Sequence, residues 1–192
     1  MNALLLIAAG ALALGMAQST SETESETRPF PGAEAQVAMA RLAPLAGDWT
    51  ATVYRMTETG WSEAGTEHAH IYFMLNDLAL REDPDPDGVN GWQLESTIQY
   101  DQNRDLYRLV AMDDTWGNMD IYEGGFDSEG RLVVTNLRSG TSYVGDDGAT
   151  LHFRLTTAIE SPDRNVFSVD MSADQGASWQ AYQRIVRIRQ SG

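Results

Sequence analysis

The chain has 192 residues, 42% of them hydrophobic, which suits one domain with a real core and is too apolar for a disordered acidic tail. It has no cysteine and no lysine, its 13 basic residues all being arginine, which excludes thiol catalysis, disulfides, thiolate metal sites, Schiff-base chemistry and a phosphate-loop lysine. A net charge of -15 repels phosphate backbones and anionic lipid surfaces, so nucleic acid is excluded as a partner and the charge serves solubility in a monomer or small homo-oligomer.

The first segment, Ala3 to Leu14, holds no charged or strongly polar side chain, and Gly15, Met16 and Ala17 follow with small residues where a signal peptidase reads. Residues 1–17 are therefore expected to be a signal peptide cleaved after Ala17, with export to the periplasm or the medium. The apolar run is shorter than the roughly 20 residues that span a bilayer, so no membrane span is expected in the mature protein. Ser19 to Arg28 is polar, acidic and of low complexity. Residues 18–32 are expected to form a disordered acidic linker, closed by Pro29, Phe30, Pro31 and Gly32, ahead of a single domain over 33–192.

Ala33 to Leu42 is the one helix predicted in the mature chain, because Ala35, Ala38, Leu42 and Leu45 share a face at helical spacing and Pro44 helps end it. It is expected to lie as a lid on a sheet end. Ten strands follow, near 47–56, 64–75, 78–83, 91–101, 104–113, 118–124, 131–138, 149–158, 165–172 and 178–189. Gly60, Asn76-Asp77, Pro84 to Gly88, Asn103, Gly117, Gly130, Gly145 to Gly148, Pro162-Asp163 and Gly176 mark the turns. Three strands alternate cleanly. Trp92, Leu94, Ile98 and Tyr100 oppose Gln93, Glu95, Thr97 and Gln99; Leu151, Phe153 and Leu155 oppose His152, Arg154 and Thr156; Phe167, Val169 and Met171 oppose Ser168, Asp170 and Ser172. One dry face per strand indicates an antiparallel sheet, and almost no helix is left to cover it. The sheet must bury its dry face against itself, as a barrel or a sandwich.

Gly47-Asp48-Trp49 on the first strand, after a short helix, resembles the N-terminal signature of the calycins, the lipocalin-like barrels. The order of Tyr100-Asp101, Tyr107, Met112-Asp113, Tyr122-Glu123-Gly124, Asp127, Gly176, Trp179 and Arg184 is similar to a bacterial calycin-like group, the domain-of-unknown-function family fifteen-seventy-nine. The resemblance covers roughly 45–189 and implies an all-β, up-and-down antiparallel barrel of about ten strands with a small-ligand cavity. It also implies that Trp49 closes the barrel bottom under a late arginine, Arg184 being the candidate and Arg187 the alternative. The neighbouring nitrobindin-like haem barrels have more glycines after the tryptophan and a late haem-ligating histidine. Here Ala51 and Val53 stand after Trp49 and no histidine follows His152, so no cofactor is expected.

Chemical motifs are weak. His68 and His70 share a strand face at a spacing that suits zinc only if a third ligand arrives, and the opposite face is at least as apolar, so both are read as outward and no metal is expected. His152 is read as exposed. Asp83, Asp85, Asp87 and Gly88 match the opening of a calcium loop, but Leu94 stands where its last carboxylate belongs, which leaves an acidic hairpin turn. Asp113, Asp114 and Glu123 place carboxylates near a barrel rim. The leading expectation is a non-catalytic barrel for a small apolar or amphipathic ligand, lined by Trp92, Ile98, Tyr100, Phe153, Phe167 and Met171. Two alternatives stand beside it: a hydrolase or isomerase using Asp113 with Tyr107 or Tyr122, and a structural or interaction protein with a filled core.

Overall fold

The computed structural model describes residues 32–89, 91, 93–145 and 148–191. The expected signal peptide, the linker up to Pro31, and Trp92 lie outside the described residues. Helix α1 (Ala33–Ala40) and a single 3-10 turn (Ala43–Leu45) precede the strands. These are β1 (Gly47–Thr57), β2 (Gly60–Met74), β3 (Ala79–Asp83), β4 (Leu94–Asp101), β5 (Leu106–Asp113), β6 (Met119–Phe126), β7 (Leu132–Thr135), β8 (Tyr143–Val144), β9 (Thr150–Ser161), β10 (Arg164–Ser172) and β11 (Gln180–Arg189).

Ten of these strands close a ring, β1 to β7 in order, then β9, β10 and β11, with β11 returning to β1. Every pairing is antiparallel, as sequential hairpins require. The barrel is therefore all-β and up-and-down, and closure leaves it without long open sheet edges. The eleventh strand, β8, pairs with β9 through only Tyr143 and Val144, which is why the sequence pattern does not reveal it. Its loop folds over the outside of β9, and this corrects the reading of His152. That side chain is on the outer face but is buried, with Ser142 Oγ 3.0 Å from its Nδ1.

Hairpins alternate between the two ends of the ring, and the ends differ. One end carries only short connections, including those where Leu75, Asn76, Asp77 and Asp105 take positive φ, and is roofed by α1. Ala35, Met39, Leu42 and Leu45 form the buried stripe of this roof, so Met39 takes the place expected of Ala38. The Tyr107 hydroxyl donates to Ala38 O at 2.7 Å, and the Arg41 guanidinium lies 3.5 Å over the Phe126 ring. Tyr100, Tyr107 and Phe126 stack edge to face beneath, with ring centroids 5.2 and 5.5 Å apart. The other end, the mouth, carries the long connections 84–93, 136–149 and 173–179.

Trp49 anchors the closed end. It is fully buried and its indole N–H donates to Leu45 O at 2.9 Å. The arginine above it is Arg189, 4.1 Å from the ring, and not Arg184 as expected. Strand register gives the reason: Trp49 pairs with Arg189, whereas Arg184 pairs with Tyr54 and faces outward, over Trp61 at 4.7 Å. Arg189 also donates to Ala46 O, Pro44 O and Pro162 O at 2.7–2.9 Å, tying the 3-10 turn and the β9–β10 turn to the barrel floor. Gly47 sits at φ +137, and the Arg189 guanidinium occupies the place where a Cβ would stand. The Gly-x-Trp pattern thus has a steric cause: the glycine clears the path of the arginine that covers the tryptophan. In unfolding experiments on Trp49→Phe, Arg189→Lys and the double variant, a coupling energy of about 0.5–2 kcal/mol is expected for this stacked pair. The same cycle with Arg184→Lys is expected to give none, and equal coupling in both cycles would overturn the assignment.

Candidate functional site

Register alone fixes which side chains enter the barrel. Counting from Trp49, the inward positions include Ala51 and Val53 on β1, Glu67 and Ala69 on β2, Leu80 and Glu82 on β3, and Ser96, Ile98 and Tyr100 on β4. On the far wall, Leu109, Tyr122, Val134, Leu155, Val169 and Ile185 continue the same face. Toward the helix the buried inward side chains include Trp49, Ile71, Leu80, Ile98, Tyr107 and Leu132. Ser96, Ala111, Phe153, Phe167, Val169 and Met171 also point inward and keep some accessible surface, as do Tyr100, Phe126 and Ile159 nearer the helix. Ala111, Phe153, Phe167 and Val169 are partly buried and pack against the core cluster.

The expected lining residues divide between the two ends. Ile98 is core, and the Tyr100 hydroxyl donates to Asp105 in a closed-end turn. Phe167 lies further up the wall, and Phe153 and Met171 face each other in register near the mouth. Leu94, expected on the dry face, is exposed where β4 begins. It belongs to an apolar rim with Met56, Trp61, Trp116, Met119 and Tyr182, all exposed and all at mouth-end hairpins.

A polar cluster, which hydrophobic alternation does not announce, crosses this interior. Arg187 is 5% exposed, donates from its Nη2 to Glu82 Oε1 at 2.6 Å and lies 5.4 Å over the Phe167 ring. Glu67 sits beside this pair, and its Oε2 accepts the Val89 N–H at 3.3 Å from the loop after β3. Val89 itself packs against the core next to Gly65, so this loop folds across part of the mouth. Asn165 pairs with Arg187 across β10 and β11 and is 1% exposed. Among the described residues, neither Oδ1 nor Nδ2 of Asn165 has a hydrogen-bond partner, and neither has Arg187 Nε. Each such orphan costs about 1–3 kcal/mol in a dry interior. Asn165 was within reach of sequence reasoning, since it stands two residues before Phe167 on the face already taken as inward. Elsewhere in the same interior, Tyr122 is buried beside Asp120, and burial pushes its hydroxyl far above the usual tyrosine range.

The other constellations hold structure. His70 Nδ1 meets Asp48 Oδ1 at 2.6 Å and His68 Nδ1 meets Gln190 Nε2 at 2.7 Å, both on the outer face. Asp85 caps its own loop, accepting the N–H groups of His68 and Asp87. Asp113 Oδ1 accepts the Thr115 and Trp116 N–H groups and Asp114 Oδ1 that of Gln93. Glu123 pairs with Arg108 at 3.0 Å. Tyr107 and Asp113 occupy opposite ends of β5, so they do not meet. Among the described residues, no group of three or more His, Cys, Asp or Glu is placed to hold a metal ion, and no helix is long and apolar enough to cross a membrane.

A ten-stranded antiparallel ring, roofed by a helix and sealed by a tryptophan under a late arginine, is a calycin-like barrel. The chain belongs to the family described as Protein of unknown function (DUF1579), whose model matches residues 34–189, from the roof helix to the sealing arginine. No curated protein matches the chain in sequence.

Burial raises the Glu67 carboxyl above its ordinary 4.5; Glu82 and Asp85 push the same way, against the Val89 N–H and Arg187. The folded state thus holds this proton more tightly than the unfolded chain does. Its contribution to stability is present below pH 4.5 and is lost as pH rises through the raised value. Glu67→Gln keeps an uncharged side chain throughout. Its unfolding free energy is expected to fall less than that of the parent as pH rises from 4.5 to neutrality, and parallel curves in denaturant titrations would contradict this.

Proposed function

We propose that the protein is a non-catalytic carrier that holds a small apolar or amphipathic molecule in the mouth half of its barrel. The observation that carries this reading is the accessible inward wall formed by Phe153, Phe167, Val169 and Met171, opposite Ser96 and Ala111. These side chains are only partly buried, which leaves inward apolar surface for a guest to cover. The exposed rim of Trp61, Trp116 and Tyr182 gives an apolar guest a surface to meet before entry. The rim acids Asp113 and Asp114 are committed to turn hydrogen bonds, which favours binding over general acid–base chemistry. Export is part of the proposal, supported by the apolar segment Ala3 to Leu14 and the small residues through Ala17.

N-phenyl-1-naphthylamine, a neutral apolar fluorophore, is expected to brighten on addition to the protein and to saturate at one site. Ala111→Trp places an indole on the inward wall of β5 and is expected to abolish that signal while cooperative unfolding is retained; undiminished brightening in this variant would place the probe elsewhere. For export, intact-mass measurement on protein from its native host is expected to give a chain beginning at Gln18. A mass retaining residues 1–17 would remove the export assignment.

A further inference from the structure

We infer that the ligand carries a neutral amide-like edge, an adjacent carbonyl acceptor and N–H donor, which docks on Asn165 and Arg187 while its apolar body runs along Phe167 toward the mouth. The inference rests on the carrier reading above and adds the chemistry of the ligand's polar end. Asn165 and Arg187 are direct register partners on β10 and β11, which brings their Cβ atoms within about 4.5–5.5 Å. Three polar atoms on these side chains are buried without a protein partner among the described residues: Asn165 Oδ1, Asn165 Nδ2 and Arg187 Nε. They are two donors and one acceptor. Turning the asparagine amide over exchanges its two atoms but leaves the same demand.

Ligand charge decides between the head groups that meet this demand. A carboxylate satisfies the two donors but leaves Asn165 Oδ1 facing an acceptor. It also meets Glu82, which already neutralises Arg187 at 2.6 Å, and Glu67 beside that pair. An ammonium satisfies Asn165 Oδ1 but leaves both donors unmet and stands against the Arg187 cation. A carboxamide or lactam satisfies all three, its oxygen accepting from Arg187 Nε and Asn165 Nδ2 and its N–H donating to Asn165 Oδ1. It adds no charge to a buried ion pair that is already balanced. Phe167, two residues along β10 on the same face and beneath the Arg187 guanidinium, continues the path as an apolar wall.

Octanamide, octanoate and octylamine share one tail and differ only in the head. In displacement of N-phenyl-1-naphthylamine from the full protein, octanamide is expected to compete at a concentration at least about tenfold lower than either charged analogue, the discrimination that one unpaired buried hydrogen-bonding group produces. Asn165→Val is expected to bring the octanamide-to-octanoate ratio near one; because the ratio is the readout, a general loss of affinity does not imitate the effect. Asn165→Asp, which replaces the donor by a second acceptor, is expected to move the preference from octanamide to octylamine and keeps the test open if the valine variant does not fold. A wild-type preference for octanoate or octylamine, or an octanamide preference that survives in the folded Asn165 variants, overturns the inference and leaves the carrier reading intact. If the naphthylamine does not bind and no calorimetric heat accompanies any of the three analogues, the carrier reading falls and this inference with it.

Discussion

The floor of this barrel is organised around a guanidinium laid over an indole. Arg189 is the last residue of β11 and Trp49 the third of β1, so their contact sits on the seam where the two ends of the chain's strand order meet. A barrel differs from an open sheet only by that seam. The same guanidinium binds three backbone carbonyls of the floor, which gives it a fixed direction as well as a stack. Lysine has neither the planar face nor the fork geometry to do both. In a chain whose cations are all arginine, the seam is one place where that choice has a visible structural effect.

Above the floor the interior changes character by layers. Aromatic and aliphatic side chains fill the helix end, an ion pair and an unpartnered asparagine occupy the middle, and an accessible apolar wall leads out to the rim. The middle layer holds buried polar atoms that lack partners among the described residues. A buried Arg–Glu pair recovers its desolvation cost only when its remaining polar atoms find partners, and here Arg187 Nε does not. Inside the ring, the unpartnered buried side-chain atoms of the described residues fall in this one layer, while those of Arg108 and Arg184 lie on the outer face; that placement agrees with the proposed binding role.

The strand rhythm, the antiparallel order and the family were legible in the sequence because alternation and turn residues are local signals. Ile98, Phe153 and Phe167 followed from the same parity. Arg189 was not legible, since choosing among Arg184, Arg187 and Arg189 needs the register between β11 and β1, a pairing across nearly the whole chain. Glu67, Glu82 and Arg187 were lost for a different reason. Sorting faces by polarity assigns charged residues to solvent, and an interior that contains an ion pair defeats that rule. His152 failed by the converse route, because a polar face was covered by the loop carrying Ser142 and by a strand too short to leave a pattern.

The two ends of the barrel are also under different evolutionary constraints. The floor is built from side chains and carbonyls that depend on one another, so a change at Gly47, Trp49 or Arg189 is felt by all of them. The long mouth connections are held by separate local networks, such as Asp174 with Ser172 and Ser178 or Asn136 with Asp120, and distant, independent sites contribute additively to stability. Insertions or substitutions in 84–93, 136–149 or 173–179 reshape the entrance while the seam holds the fold constant. A lineage built on this plan is free to vary its mouth while its floor stays fixed.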